Sequence, residues 1–413
     1  MQALVGLVVF LVLAWAVSEG RRNVVLKPVL TGLFLQFLLA LLLFKIDWIA
    51  KALGSLNSIV AALEAATVQG SSFLFGYLGG GQAPFEVTQA SATYLFAFRV
   101  LPQVIVFSVV IAILWYWRVL PLFVRGFGWL LKRSLGISGA LGTAGASTLF
   151  LGMVETPLVI RAYLKSLTRS EYFTVMTFGM STVAGSVMVL YASVLVGVIE
   201  GIVGHIIAAS VLNIVGAIYV ARIMVPETDD QSDLVEKEPR RETSLRYQSF
   251  MDAVSTGTGD GLNLAVNVGA SLLVLLSLVA LVNGVLGFVY ADLSLQQIFG
   301  WLFAPVAWLV GIPWQEAVSA GSLLGTKLVL NELVAYLQLA ELHTQFTDQT
   351  RLIMTYALCG FANFGSLGIL LGGLSTLVPE RIKETLEIAP KSLISGTIVS
   401  LITASMVALV SQI

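Results

Sequence analysis

The sequence predicts an all-α polytopic membrane protein, and three observations carry that prediction. Of its 413 residues, 57% are hydrophobic and only 11% are charged, where soluble domains carry about 25% charge. Apolar runs as long as a bilayer crossing requires, about 20 residues, recur along the whole chain. Two further apolar segments, near 134–168 and 296–340, are broken mid-way by polar and helix-breaking residues.

Composition also excludes several classes. A net charge of −1 provides no basic field for nucleic acid. The single cysteine, Cys359, rules out a disulfide framework and a thiolate metal cluster. His205 and His343 have no ligand-like spacing, and HExxH, CxxC, GxSxG and P-loop patterns are absent, so neither an enzyme nor a resident cofactor is expected.

Eight crossings are expected, at 1–17, 29–46, 93–117, 172–196, 201–225, 261–289, 352–378 and 391–411. The first run, MQALVGLVVFLVLAWAV, lacks a basic leader, and Arg21, Arg22 and Lys27 follow it, the reverse of a cleaved signal. It reads as a retained span with its N-terminus outside. The broken segments contain GMVETP in the first, and GIPWQEA followed by GTKLVLNELVAY in the second. Each suits two half-length helices. Irregular backbone is tolerated at membrane depth only where protein or a water-filled cavity satisfies it, so both read as re-entrant hairpins; two ordinary spans with tolerated Pro and Gly are the alternative. With both hairpins returning to their own side, 18 of the 23 basic residues lie inside, a strong positive-inside bias, and the C-terminus ends outside.

The stretch 226–250 is polar, carries both signs of charge and reads as a cytoplasmic linker. It separates a first half (91–225, with hairpin 134–168) from a second (251–413, with hairpin 296–340), behind a scaffold of two spans and an interfacial segment at 1–90. Each half runs span, hairpin, interrupted span, span, and the hairpins open from opposite sides. That order is an inverted repeat, the plan of many secondary transporters with a midplane site.

Glu155 and Glu332 lie in the hairpins, with Glu316 nearer a turn. Carboxylates at membrane depth are costly and face a cavity or a partner. They either hold the hairpins together or anchor a hydrophilic solute. The interrupted spans supply Ser181, Thr182, Gly185 and Ser186 in one, and Gly360, Asn363, Gly365 and Ser366 in the other. Small residues also serve close helix packing, but an unpaired buried Asn363 amide is costly. Asn363 and Ser366 share a face if the helix continues through them, and that face suits a sugar or polyol, with Phe361 and Phe364 free to stack or to pack. Thr148, Thr182 and nearby carbonyls form an oxygen-only set suited to an alkali ion; threonine back-bonding within membrane helices is the competing explanation.

The motifs then become specific. GTKLVLNELVAY (325–336) with YALCGFANFGS (356–366), together with FRVLP (98–102) and GSSFLFG (70–76), resembles the concentrative nucleoside transporter family, bacterial type, over nearly the whole chain. The resemblance implies a homotrimer of eight-span protomers with two re-entrant hairpins in the inner (plasma) membrane, importing nucleosides on a cation gradient. It implies that Glu332, Asn363 and Ser366 bind ribose with Phe361 alongside, that Glu155 meets the nucleobase, and that Val187 is an apolar wall. Thr148, Leu151, Thr182 and Val183 correspond to the sodium ligands, in part through carbonyls. Two departures stand out. Where the family reads G-Q-[ST/N]-E, this chain has Gly152-Met153-Val154-Glu155, and Thr148 replaces an Asn. Unsatisfied polar edges cost roughly 1–3 kcal/mol each, so the apolar pair implies either a shifted base preference or a different polar solute. The coupling ion is sodium or a proton.

Overall fold

The computed structural model describes residues 2–87, 95–227, 247–290 and 293–411. The expected linker at 226–250 therefore falls largely outside the described residues. The chain is all helical among the described residues: α1 (Gln2–Ala16), α2 (Leu26–Lys45), α3 (Asp47–Phe75), α4 (Phe96–Arg99), α5 (Leu101–Tyr116), α6 (Val119–Leu135), α7 (Gly139–Ser147), α8 (Glu155–Val159), α9 (Arg169–Ser181), α10 (Gly185–Leu195), α11 (Ile202–Met224), α12 (Phe250–Val289), α13 (Leu295–Val310), α14 (Trp314–Val329), α15 (Glu332–Glu341), α16 (Asp348–Leu358), α17 (Phe364–Leu377) and α18 (Ile382–Val410).

Short helices need defined starts, because the first N–H groups of each have no partner in the helix. Ser138 caps α7, Asn331 caps α15, Thr347 caps α16 and Asn363 caps α17 through side-chain acceptors. Thr168 and Glu171 close a reciprocal capping box at the start of α9. Most of the half-length pieces thus carry their own start signal.

Six helical stretches are long and apolar enough to cross a membrane among the described residues: 26–45, 96–116, 169–195, 202–224, 250–288 and 379–410. The expected spans at 1–17 and 352–378 correspond to α1, which is short, and to α16 and α17, which are separated by a break. The interior is made of α9, α10, α11 and α18, while α2, α5 and α12 have most of their surface outward. The span expected at 261–289 begins earlier: α12 has 40 residues, about 60 Å at 1.5 Å per residue, and so extends beyond a hydrocarbon core of about 30 Å.

The second broken segment corrects its sequence reading. Residues 296–340 form three helices, not two half-length ones. A 114° bend at Gly311–Pro313 separates α13 from α14, and the arms that meet at Glu332 are α14 and α15. The GIP turn imitates a hairpin tip in the sequence because Gly and Pro mark any turn alike. Glu316 lies in the first turn of α14, where its carboxylate accepts hydrogen bonds from the N–H and hydroxyl of Thr347, both at 3.3 Å.

The two halves repeat a set of neighbours. Helix α6 packs on α7 as α13 packs on α14, and α9 packs on α11 as α16 packs on α18. Across the halves, α10 meets α15 and α17 meets α8. Gln36 ties α2 to the interior: its amide donates to the Leu212 carbonyl (3.0 Å) and the Thr403 hydroxyl (2.9 Å), and accepts from the Tyr219 hydroxyl (2.6 Å).

At one end of the bundle, basic residues that the charge pattern assigns to one side gather in space. Arg169 forms a two-pronged pair with Glu19 (2.9 Å for both contacts) and also meets Glu387 at 2.9 Å, while Lys391 reaches Glu19 at 2.7 Å. Arg381 donates to the Leu164 and Leu167 carbonyls (2.9 and 2.8 Å), which fastens the return of the first hairpin. The Arg169 hydrogen bonds, joined by Lys391, hold the Glu19 carboxyl down at about 2 against partial desolvation. A carboxylate depressed in the folded state stabilises above its unfolded pKa and loses that contribution as pH falls toward the folded value. Thermal unfolding in detergent is therefore expected to show stability falling between about pH 4.5 and pH 2 on account of this group, with a shallower fall in Glu19→Gln. An identical pH slope in that variant would remove the assignment.

Candidate functional site

Glu332 begins α15 directly after its Asn331 cap, where the helix N-terminus favours a negative charge. It is 5% exposed. One carboxylate oxygen accepts from the Tyr191 hydroxyl, and the other accepts from the Asn363 amide at 2.7 Å. Tyr336, one turn further along α15, lies against the Tyr191 ring with centroids 4.9 Å apart. A carboxylate has about four acceptor positions, and two are filled by these donors. The remainder suit hydroxyl donors from a polyol.

Asn363 is the cap of α17 and not part of it, so the interruption expected in this span falls just ahead of Phe364 and the condition for a shared Asn363–Ser366 helix face is not met. The chain is broken from Cys359 to Asn363. Ser366 is joined to Asn363 through its backbone: its N–H donates to the Asn363 side-chain oxygen at 2.8 Å. Capping thus fixes the amide so that its nitrogen points at Glu332. Phe361 sits within the break, partly buried, and its carbonyl accepts from the Asn363 N–H at 2.8 Å. Val187 is buried one turn before Tyr191 on α10, and so shares its face.

Two participants were not singled out in the sequence. Tyr191 is a lone tyrosine in an apolar helix, and its four-residue spacing from Val187 is the only sequence clue. Lys327 lies inside the quoted GTKLVLNELVAY motif but had no role there. It is 3% exposed, and its ammonium donates to the Ala357 carbonyl at 2.9 Å, in the last turn of α16.

The first hairpin brings a second group together. Glu155 begins α8 and is exposed; the backbone N–H groups of Gly152, Val154 and Glu155 face its carboxylate. Met153 is buried, with its Cβ against Gly179 of α9 and near Leu370 of α17. Val154 packs on Gly373 of α17. The apolar pair therefore wedges the first hairpin onto α9 and α17. Helix α8, which Glu155 begins, meets α17, the helix that Asn363 caps, but Glu155 makes no hydrogen bond with Glu332 or Asn363 among the described residues.

Thr148 and Thr182 each end a helix, α7 and α9 respectively. Both hydroxyls donate backwards, Thr148 to the Gly145 carbonyl (2.7 Å) and Thr182 to Phe178 (2.8 Å). Their oxygen lone pairs are left over, so back-bonding and cation holding are compatible. The two breaks touch, because the Gly185 N–H donates to the Phe150 carbonyl at 3.2 Å. Thr148, Leu151, Thr182 and Val183 thus lie in adjoining helix breaks, where carbonyls leave the helical ladder. No group of three or more His, Cys, Asp or Glu side chains able to hold a metal occurs among the described residues. The oxygen-only set fits a weakly held alkali ion.

Comparison with known proteins agrees along the full length. Residues 5–78 match the family description "Na+ dependent nucleoside transporter N-terminus", 97–197 match "Nucleoside recognition" and 205–408 match "Na+ dependent nucleoside transporter C-terminus". An uncharacterized transporter of Haemophilus influenzae is 34% identical over 99% of this chain and 97% of its own. The nucleoside permease NupC of Helicobacter pylori is 33% identical over 98% of this chain and 97% of its own. The solved structure of CNTnw in an inward-facing substrate-bound state superposes with a TM-score of 0.90 at 35% identity, covering 100% of this chain and 97% of that one. The chain belongs to the Na+-dependent, concentrative nucleoside transporter family, is a multi-pass membrane transporter and is not an enzyme.

Proposed function

We propose that this protein is a cation-coupled symporter that imports nucleosides across the plasma membrane by alternating access. The observation that carries the reading is the Glu332 carboxylate, pinned by Tyr191 and Asn363 with acceptor positions to spare. A ribose offers vicinal hydroxyl donors to such a group, and charge-assisted hydrogen bonds are the strong ones. Glu332, Asn363 and Ser366 hold the sugar with Phe361 alongside, Val187 forms an apolar wall, and Glu155 meets the base.

Sodium is the co-substrate in this reading. The Thr148 and Thr182 oxygens and the Leu151 and Val183 carbonyls surround it between the first hairpin and the α9–α10 break. A proton gradient is the alternative driver. The recurring helix neighbours support a repeat within an architecture of eight crossings and two hairpins, and the positive-inside charge pattern supports its inversion, with both termini outside and the linker at 226–250 cytoplasmic. A homotrimer belongs to the same reading; the outward apolar faces of α2, α5 and α12 suit contact with lipid or with a second copy.

A second reading has its own observation. Met153 and Val154 are apolar and packed against α9 and α17, so the base end has few polar side chains. Transport of another polar small molecule on the same fold fits that wall. Uptake of a labelled nucleoside panel into proteoliposomes, under sodium or pH gradients, separates the two. Nucleosides are expected to accumulate, and Met153→Gln with Val154→Thr is expected to raise uptake of uridine relative to the parent by roughly 5- to 100-fold, the worth of one regained partner. Absence of uptake of every nucleoside under both gradients would sink the nucleoside reading.

A further inference from the structure

The proposed ion site and the proposed sugar site lie at different helix breaks, and one side chain bonds to the backbone next to each. Asn213, in the middle of α11, is fully buried. Its amide nitrogen donates to the Ser181 carbonyl at 2.7 Å and to the Cys359 carbonyl at 3.1 Å. Ser181 ends α9 and precedes Thr182; Cys359 follows the end of α16 and precedes Phe361 and Asn363. Both carbonyls belong to helix ends that the break deprives of partners. An amide nitrogen has two N–H groups and both are used here, which fixes its orientation, because the amide oxygen cannot face two carbonyls. The oxygen accepts no hydrogen bond among the described residues. The residue is therefore present for its two donors.

The breaks also touch directly beside it. A Cβ at Gly360 would lie 2.7 Å from the Ser181 oxygen. Ser400 supplies a second donor to the Cys359 carbonyl at 3.0 Å, but its other hydrogen bond goes back to the Gly396 carbonyl at 3.1 Å and not to Ser181. Among the described residues, Asn213 alone spans the two carbonyls.

We infer that Asn213 is a positioning residue that links cation occupancy at the α9–α10 break to nucleoside affinity at the α16–α17 break. This rests on the symport reading above. A cation drawing on the Thr182 and Val183 carbonyls orders the chain beside Ser181, and the amide carries that order to the backbone presenting Phe361 and Asn363. Coupling of this kind is reciprocal and is measured as a ratio of affinities.

The test is equilibrium binding of labelled adenosine, with labelled uridine in parallel, to the purified full-length protein without sodium and at saturating sodium. The wild type is expected to bind roughly 5- to 150-fold more tightly with sodium, the usual span of coupled sites. In Asn213→Ala and in Asn213→Ser, whose single short hydroxyl cannot span both carbonyls, that ratio is expected to fall to within about twofold of unity, with sodium-free affinity held within about threefold. Ser400→Ala, which removes a donor without breaking the bridge, is expected to keep the wild-type ratio. An unchanged ratio in whichever Asn213 variant remains monodisperse overturns the inference, as does an equal loss in Ser400→Ala. Wild-type nucleoside binding that ignores sodium overturns this inference and leaves nucleoside transport standing. Where neither binds, the other natural nucleosides are measured in the same way, and binding of none of them overturns both.

Discussion

Glu332→Gln is expected to lower nucleoside uptake by about 10- to 100-fold, from the loss of a charge-assisted hydrogen bond to the substrate worth about 1.5–3 kcal/mol. The carboxylate accepts from both Tyr191 and Asn363. In the amide, one of these positions becomes a donor. Facing Asn363 it meets another N–H; facing Tyr191 it forces the phenol to act as acceptor. The remaining oxygen is uncharged and has fewer lone pairs for sugar hydroxyls. Initial rates in proteoliposomes measure the effect, with size-exclusion profiles verifying that the variant is folded. Near-normal uptake would remove Glu332 from the sugar site and leave it as the tie that holds α15 to α10 and α17.

Gly360→Ala is expected to destabilise the protein by about 2–4 kcal/mol and to abolish transport. Two costs act together. The residue has φ +134, and for L-residues the left-handed region costs roughly 1–2 kcal/mol. The new methyl would lie 2.7 Å from the Ser181 oxygen and 3.1 Å from the Ser400 hydroxyl, and overpacking of this kind costs about 1–3 kcal/mol. Ser181 cannot retreat easily, since Asn213 holds its carbonyl. The thermal unfolding midpoint checks the first claim and uptake the second. A midpoint within about one degree of the parent would show that the crossing of the two breaks yields readily, against an expected shift of roughly 2–5 °C for a chain of this length.

Much of the candidate site was legible in the chain, but as separate pieces. Glu155 and Glu332 stand out because acids are rare among apolar runs, and Asn363 because its amide needs partners wherever it is buried. Their contacts were less accessible. Asn363 and Ser366 could share a face only if the helix ran through them, and Gly360 and the cap break it ahead of Phe364, so a periodicity argument does not apply. The second hairpin was misbounded for a related reason: the Gly311–Pro313 turn between α13 and α14 carries Gly and Pro, whereas the tip at Leu330–Asn331 before Glu332 carries neither. Tyr191 and Asn213 were missed altogether. Each is a single polar residue in an apolar helix, and nothing in the local pattern says whether such a residue back-bonds, faces a neighbour or joins a site.

Sequence alone determined that the chain is a helical membrane protein, where its apolar runs lie, and where polar and helix-breaking residues interrupt them. Those properties depend on composition, period and nearest neighbours along the chain. The tertiary structure decided which polar groups meet: Glu332 with a tyrosine 141 residues away, and Asn213 with carbonyls 32 and 146 residues away. Inside an apolar bundle a buried donor must find an acceptor. Which acceptor it finds is set by where the helices cross, and that crossing is a property of their packing in three dimensions.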